Sequence, residues 1–298
     1  LLKEKYSPAK FGWSSSGMMS LYDLLLIPSP DKALKLAIEM AGVVKNERDQ
    51  KFWSAQKVTS LKILKAQNLI EMGKASEAIK VLDSVKLPRN PDFIVFKAKA
   101  FEKANQPVEA YNLLLEEYAK NPSNEIGKAL FKYGASIQKS NGQVDKEVEY
   151  IRDTAAKKAT DFSLNQYFEK GKKSLKDYEG KVILLTYWFP GCGPCRGEFP
   201  HFQNVVNKFK GQDLVYLGIN IVPEQNDYVI PFLRSSGYTF IPLEDFEGRN
   251  KGNLDNRNAA PMNFLIDKTG RVVFKNFRTD GDNEDVLENM ISALLKQG

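Results

Sequence analysis

Two residues carry the reactive chemistry of this 298-residue chain: Cys192 and Cys195, its only cysteines. They flank Gly193-Pro194 and follow the apolar run 182–188 directly. At the start of a helix, an i, i+3 spacing sets both sulfurs on one face of the first turn, within reach of a shared disulfide. Their positions assign them different tasks. At a helix N-terminus, unpaired backbone N–H groups and the positive end of the macrodipole favour a thiolate, so Cys192 is the expected nucleophile. Cys195, one turn further in, is the more buried sulfur and resolves the mixed disulfide that Cys192 forms. Pro194 suits the first turn, where its missing N–H costs nothing. Pro200 removes a hydrogen bond deeper in the helix and should kink it.

Positioning this pair requires a strand before it and a helix after it. Val182-Ile183-Leu184-Leu185 is continuous, apolar and β-favouring, as in a strand buried on both faces. It would deliver Cys192 to the carboxyl edge of a sheet, where such folds place their chemistry. The pattern then predicts a helix over 194–210, a strand over 214–221, a helix over 227–236 and a returning segment from Phe240. A strand over 263–266, a turn at Asp267-Lys268-Thr269-Gly270 and a strand over 271–275 follow. Val286, Leu287, Met290, Ile291, Leu294 and Leu295 form the apolar stripe of a closing helix. Upstream, 161–164 reads as a short strand.

The strand, the Cys-Gly-Pro-Cys motif, Pro200 and Pro261 before a strand together resemble a thioredoxin fold. The segments Glu198-Phe199-Pro200, 159–164 and 261–267 resemble its extracytoplasmic TlpA/ResA-like branch, over residues 159–298. That resemblance implies an α/β fold with a mixed central sheet flanked by helices. It also implies a thiol-disulfide oxidoreductase that needs no cofactor or metal, acts on protein disulfides and is reset by an upstream membrane reductant. It further implies a periplasmic or otherwise extracytoplasmic location, with the chain soluble or tethered through a preceding segment. By the same resemblance Pro261 is cis, and the backbone of Ala260 pairs with an extended substrate. Trp188 borders the site, and with Gly193, Pro194, Ala260 and Pro261 completes the expected substrate-binding set. Glu198 lies near the cysteines and could take the proton of Cys195. Thioredoxin itself places an aspartate on the central strand, where this chain has Thr186. The family usually has tryptophan before the first cysteine; Gly191 here alters the exposure of Cys192. The Gly-Pro dipeptide is that of thioredoxin and leans towards reduction. A disulfide oxidant or isomerase, or a redox-switched binding module without turnover, is the alternative.

Competing chemistries lack their residues. The single histidine, His201, gives no protease-like pair in this context, and one histidine with two cysteines falls short of four zinc ligands. A peroxiredoxin would carry threonine where Phe189 stands. No glycine-rich phosphate loop occurs.

The remaining half reads as helical. Length favours two domains, divided as 1–158 and 159–298. The net charge of +6 is uneven: the first carries 26 basic against 19 acidic residues, +7, and the second −1. No basic run is dense enough for nucleic acid. The first thirty residues, broken by Pro8, Gly12, 14–17 and 28–30, read as an irregular lead-in. Asp31 then caps a helix with the apolar face Ala33, Leu34, Ala37, Ile38 and Ala41. Leu69, Gly73, Ala78 and Leu82 recur as Phe101, Asn105, Ala110 and Leu114, and more weakly as Gln138, Gly142, Glu147 and Ile151. Pro91 and Pro122 fall at the ends of units. The pattern is similar to tetratricopeptide repeats. That similarity implies an array of helical hairpins that recruits a protein partner or, equally, serves as a cap or dimerisation arm. Tyr111, Tyr118 and Tyr133 read as core. The chain begins without methionine, which leaves room for a removed or omitted N-terminal segment such as a signal peptide.

Overall fold

The computed structural model describes residues 15–87 and 90–296. The chain divides into two compact units, residues 1–117 with 125–144 and residues 118–124 with 145–298. Among the described residues no helix is long and apolar enough to cross a membrane.

The first unit is helical. Its opening corrects the sequence reading: α1 (Ser15–Leu26) occupies part of the expected lead-in, while Pro8 and Gly12 lie outside the described residues. Burial organises this helix, with Met18, Tyr22 and Leu26 turned inward. The Tyr22 ring meets Trp53 edge-on at 5.9 Å, and its hydroxyl donates to the Gln56 carbonyl at 2.8 Å. In α2 (Pro30–Val43) Ser29 takes the cap position and Pro30 the first turn, so Asp31 is a first-turn acid and not the cap. The buried face is Ala33, Leu36, Ala37 and Met40, and Ile38 is 49% exposed.

Hairpins follow: α3 (Glu47–Glu71) with α4 (Ala75–Asp83), α5 (Pro91–Lys103) with α6 (Pro107–Lys120), and α7 (Asn124–Ser136) with α8 (Asn141–Ala155), whose residues from Asp145 belong to the second unit. Pro91 opens α5 instead of ending a unit, with the Asn90 side chain accepting from Phe93 N–H at 2.8 Å. Each joint turns through one left-handed residue: Gly73, Asn105 and Gln138, with φ of 74°, 58° and 62°. In each, the next N–H bonds back five residues, from Lys74 to Leu69, Gln106 to Phe101 and Lys139 to Gly134. The third copy is therefore registered differently from the sequence alignment. Gln138, not Gly142, matches Gly73, and the buried Val144, not Glu147, matches Ala78 and Ala110. The helix pair is tight there, since a Cβ at Gly134 would lie 2.8 Å from Val144 Cγ2. Tyr111 and Tyr133 are core residues.

The second unit is built on one mixed sheet with strand order β1-β8-β7-β4-β5-β6-β2-β3. Its strands are β1 (Lys157–Lys158), β2 (Leu164–Gln166), β3 (Lys172–Lys173), β4 (Val182–Trp188), β5 (Leu214–Asn220), β6 (Ile241–Glu244), β7 (Met262–Ile266) and β8 (Arg271–Lys275). The helices α9 (Gly193–Lys208), α10 (Asn226–Ser236) and α11 (Glu284–Lys296) accompany it. The pair β4–β5 and the pair β5–β6 are parallel; β7 runs antiparallel to β4. The strand expected at 161–164 begins only at Leu164. Asp161 ties two connections instead, accepting from Phe162 N–H at 2.8 Å and Leu175 N–H at 3.0 Å.

Every residue of β4 is buried, as its unbroken apolar run requires. Val182, Leu184 and Trp188 pack with the inner faces of α9, α10 and α11. Ile183, Leu185 and Tyr187 meet a core completed by Ala159, Phe162, Tyr178 and Leu254. β4 thus fixes the position of the turn that follows it.

Candidate active site

The chain leaves β4 through Phe189-Pro190-Gly191, and Cys192 N–H closes the turn on the Phe189 carbonyl at 3.0 Å. Cys192 occupies the N-cap of α9 in an extended conformation. Its sulfur accepts from Cys195 N–H at 3.2 Å, satisfying one of the orphan donors of the first turn. Pro194 stands within that turn, and α9 continues through Pro200. The two cysteines are joined as a disulfide, their Cα atoms 5.3 Å apart. Cys192 is 2% exposed and Cys195 fully buried, which leaves Cys192 as the sulfur nearer the surface. Gly193 and Pro194 between them are exposed.

Gly191 holds the outer side of the loop. Its N–H donates to Gln225 Oε1 at 2.7 Å, and a Cβ there would lie 3.1 Å from that oxygen. Gln225 bonds back to the Val222 carbonyl at 3.0 Å, in the connection that leaves β5. Asn220, buried, donates to Asn226 Oδ1 at 2.8 Å and to Tyr167 Oη at 2.9 Å, which fixes the 222–226 connection.

The opposite side is formed by the approach to β7. Tyr187 pairs with Met262 across the sheet, so Ala260-Pro261 lies beside the end of β4. The Ala260–Pro261 peptide is cis, and Ala260 packs on the core cluster that contains both cysteines. Asn256 shapes this connection, donating to the Ala259 carbonyl at 2.9 Å and accepting from Lys251 Nζ at 2.6 Å.

Trp188 belongs to the core and not to the substrate-facing set. Being on the Val182 and Leu184 side of β4, it is fully buried and meets Phe240 at 5.0 Å and Phe199 at 5.4 Å, both edge-on.

Glu198 follows Cys195 by one turn, and both lie on the buried face of α9. Its carboxylate is not a surface group. Oε1 accepts from the Arg278 guanidinium and from Thr279 N–H at 3.1 Å, and Oε2 from Asn263 Nδ2 at 3.1 Å. These donors offset the burial of its charge. Asn263 faces Thr186 across β4–β7 and also donates to the Phe277 carbonyl at 2.9 Å. Nearby Tyr216 has its phenol pushed up by burial and further by the Glu198 charge.

The sequence reading missed Gln225, Asn263, Arg278 and Thr279. Asn263 did leave a signal: an amide at an inward position within the apolar strand Met262-Asn263-Phe264-Leu265-Ile266. The others leave none. His201 is occupied elsewhere, its Nδ1 2.7 Å from Glu284 Oε1. Among the described residues no cluster of three or more histidine, cysteine, aspartate or glutamate side chains could hold a metal.

A bonded cysteine pair capping a helix at the carboxyl edge of a mixed sheet, beside a cis-proline, defines a thioredoxin-like redox fold. Residues 155–275 match the AhpC/TSA family. The thiol-disulfide oxidoreductase ResA of Bacillus subtilis is 34% identical over 106 residues, 35% of this chain and 57% of that protein. ResA of Geobacillus kaustophilus is 33% identical over 118 residues, 39% of this chain and 67% of that protein. The crystal structure of the thioredoxin domain of a thiol-disulfide oxidoreductase from Bacteroides vulgatus is 22% identical. It covers 47% of this chain and 96% of that domain, with a TM-score of 0.40. The chain belongs to the ResA-like family of thiol-disulfide oxidoreductases, and it spans just over half the length of the Bacillus subtilis relative.

Proposed function

We propose that the protein reduces disulfides of other proteins through a Cys192/Cys195 dithiol cycle. The observation that carries this reading is the bonded pair at the N-terminus of α9, with Cys192 the outer sulfur. In the reduced protein the Cys192 thiolate attacks one sulfur of a substrate disulfide. A Cys192–substrate bond forms, the substrate bond breaks, and the departing thiolate takes up a proton. Cys195 then gives its proton to Glu198 and attacks Cys192 Sγ. The Cys192–Cys195 bond forms as the second substrate sulfur leaves and is protonated, so two electrons pass from the dithiol to the substrate.

Exposed Gly193 and Pro194 and the Ala260-Pro261 edge form the docking surface, with the backbone of Ala260 pairing with an extended substrate segment. A membrane thiol-disulfide reductant returns the pair to the dithiol. The helical hairpins, tetratricopeptide-like in their repeated turn, recruit a partner or substrate. The family resemblance supports an extracytoplasmic location.

The test combines two cysteine variants with a redox titration. Cys192→Ser should abolish reduction of a protein disulfide, and Cys195→Ser should trap a mixed disulfide. The potential of the pair, from alkylation and mass spectrometry across redox buffers, should fall near thioredoxin's value of roughly −270 mV. Undiminished activity in both variants would reject the cycle, and a potential of roughly −120 to −180 mV would reverse the electron flow.

A further inference from the structure

Eighty residues separate Glu198 from Arg278, yet the guanidinium Nε lies on Glu198 Oε1. The Arg278 side chain is 48% exposed, whereas that of Glu198 is 4% exposed. A buried carboxylate on the face of α9 that carries Cys195 is thus joined to the solvent side by one long, charged side chain. The loop after β8 supplies a second donor, Thr279 N–H, and β7 supplies the third, Asn263 Nδ2. Asn263 also holds the Phe277 carbonyl, which fastens the start of that loop to the sheet. Among the described residues, every donor to the carboxylate therefore comes from outside α9, and only Arg278 brings a full charge.

We propose that Arg278 is a positioning residue for the resolving step: it holds the Glu198 carboxylate oriented on the Cys195 face of α9 so that it can take the thiol proton. The proposal rests on the dithiol cycle and on the proton-acceptor role of Glu198 described above. An uncompensated buried carboxylate is strongly unfavourable. Without the guanidinium, the carboxylate would lose the partner that orients it and with it the geometry for accepting the thiol proton. Resolution would then wait for higher pH, while the first attack by Cys192 would continue unchanged. Besides Arg278, the titratable groups about the carboxylate include Cys195 and, one turn on, His201 on its own helix, Tyr216 on β5, and Asp280 and Asp282 on the same loop. Tyr216 keeps its proton through the working range, because burial pushes its phenol up. It therefore contributes no step to the pH profile near neutrality.

The experiment uses the full chain, reduced and mixed with oxidised glutathione, then quenched in acid and analysed by mass spectrometry. The quench separates formation of the Cys192–glutathione adduct from its resolution. Arg278→Gln should form the adduct at the wild-type rate and resolve it about tenfold or more slowly at pH 7, in line with loss of a proton acceptor. Its resolution profile should move to higher pH, and Arg278→Lys should restore most of the rate. Because Arg278 acts through Glu198, the double variant Glu198→Gln/Arg278→Gln should be no slower than Glu198→Gln alone.

Wild-type resolution in Arg278→Gln with a slow Glu198→Gln would overturn the role of Arg278 and leave that of Glu198 standing. Fast resolution in Glu198→Gln would overturn both. Absence of any adduct in wild type and in Cys195→Ser would overturn the dithiol cycle itself. Additive slowing in the double variant, or failure of lysine to rescue, would reduce Arg278 to a structural contact.

Discussion

Gly218 and Gly197 should respond with opposite signs to the same substitution, one lying beneath the packed face of the active-site helix and the other on its exposed face. Gly218 lies in β5 beneath the aromatic cluster of Trp188 and Phe240. A Cβ there would fall 2.5 Å from Phe240 Cδ2, 2.6 Å from Cε2 and 2.9 Å from Trp188 Nε1. Neither ring can retreat freely: Trp188 meets Phe199 at 5.4 Å and Phe232 at 5.2 Å, and Phe240 meets Tyr216 at 5.2 Å. Overpacking of this kind costs about 1–3 kcal/mol, so Gly218→Ala should destabilise the oxidised protein by that amount. For a unit of this size the melting temperature should fall by about 2–4 °C per kcal/mol. Gly197 is exposed in α9, and a Cβ there meets nothing within 4 Å. Gly197→Ala should therefore stabilise the protein by about 0.5–1 kcal/mol through helix propensity. Urea denaturation followed by circular dichroism would measure both, as midpoint shifts at constant slope. Equal stability of Gly218→Ala and wild type, or a destabilised Gly197→Ala, would refute the packing described for α9 on the sheet.

The His201–Glu284 pair should make stability depend on acid. Hydrogen bonding to His201 holds the Glu284 carboxyl below its usual range, with burial opposing and Asn204 and the His201 and Lys208 charges adding. A group whose folded value is depressed stabilises above its unfolded value, about 4.3 for glutamate, and loses that contribution as pH falls through the folded value. The denaturation midpoints of wild type and Glu284→Gln should thus differ at pH 6 and converge on acidification; a constant gap would rule the linkage out. Arg152 offers a test of geometry over charge. Its buried guanidinium donates to the Ala119 carbonyl at 3.0 Å and the Tyr118 carbonyl at 3.3 Å and lies 5.2 Å from the centre of the Phe274 ring. Arg152→Ala should cost about 1.5–3 kcal/mol, and Arg152→Lys should recover little, since an ammonium cannot reproduce the planar fork. Full recovery by lysine in the same denaturation assay would show that charge alone matters.

Local chemistry made much of this protein legible before its fold was known. The redox pair, its placement at a helix start, the buried run of β4 and the stripe of α11 depend on neighbours within a few residues, as propensity, periodicity and capping do. The helical hairpins were visible for the same reason, but the third lost its register. Its joint holds Gln138 in a left-handed conformation that Gly73 and Asn105 adopt more easily, and its turn is longer, so Val144 sits where the sequence suggested Glu147.

Tertiary structure alone decided which side chains surround the disulfide. The order β7-β4-β5 brings Ala260-Pro261 to one side of the Cys192 turn and the Gln225 connection to the other. It turns Trp188 inward, because alternation along a strand buried on both faces says which residues share a side and not which side borders the site. The Glu198 carboxylate depends on the same topology: its donors lie 65 to 81 residues away, on a neighbouring strand and the loop after β8. Pairings over such separations leave no periodic trace in the chain. They are fixed only when the sheet order sets strand β7 and that loop beneath helix α9.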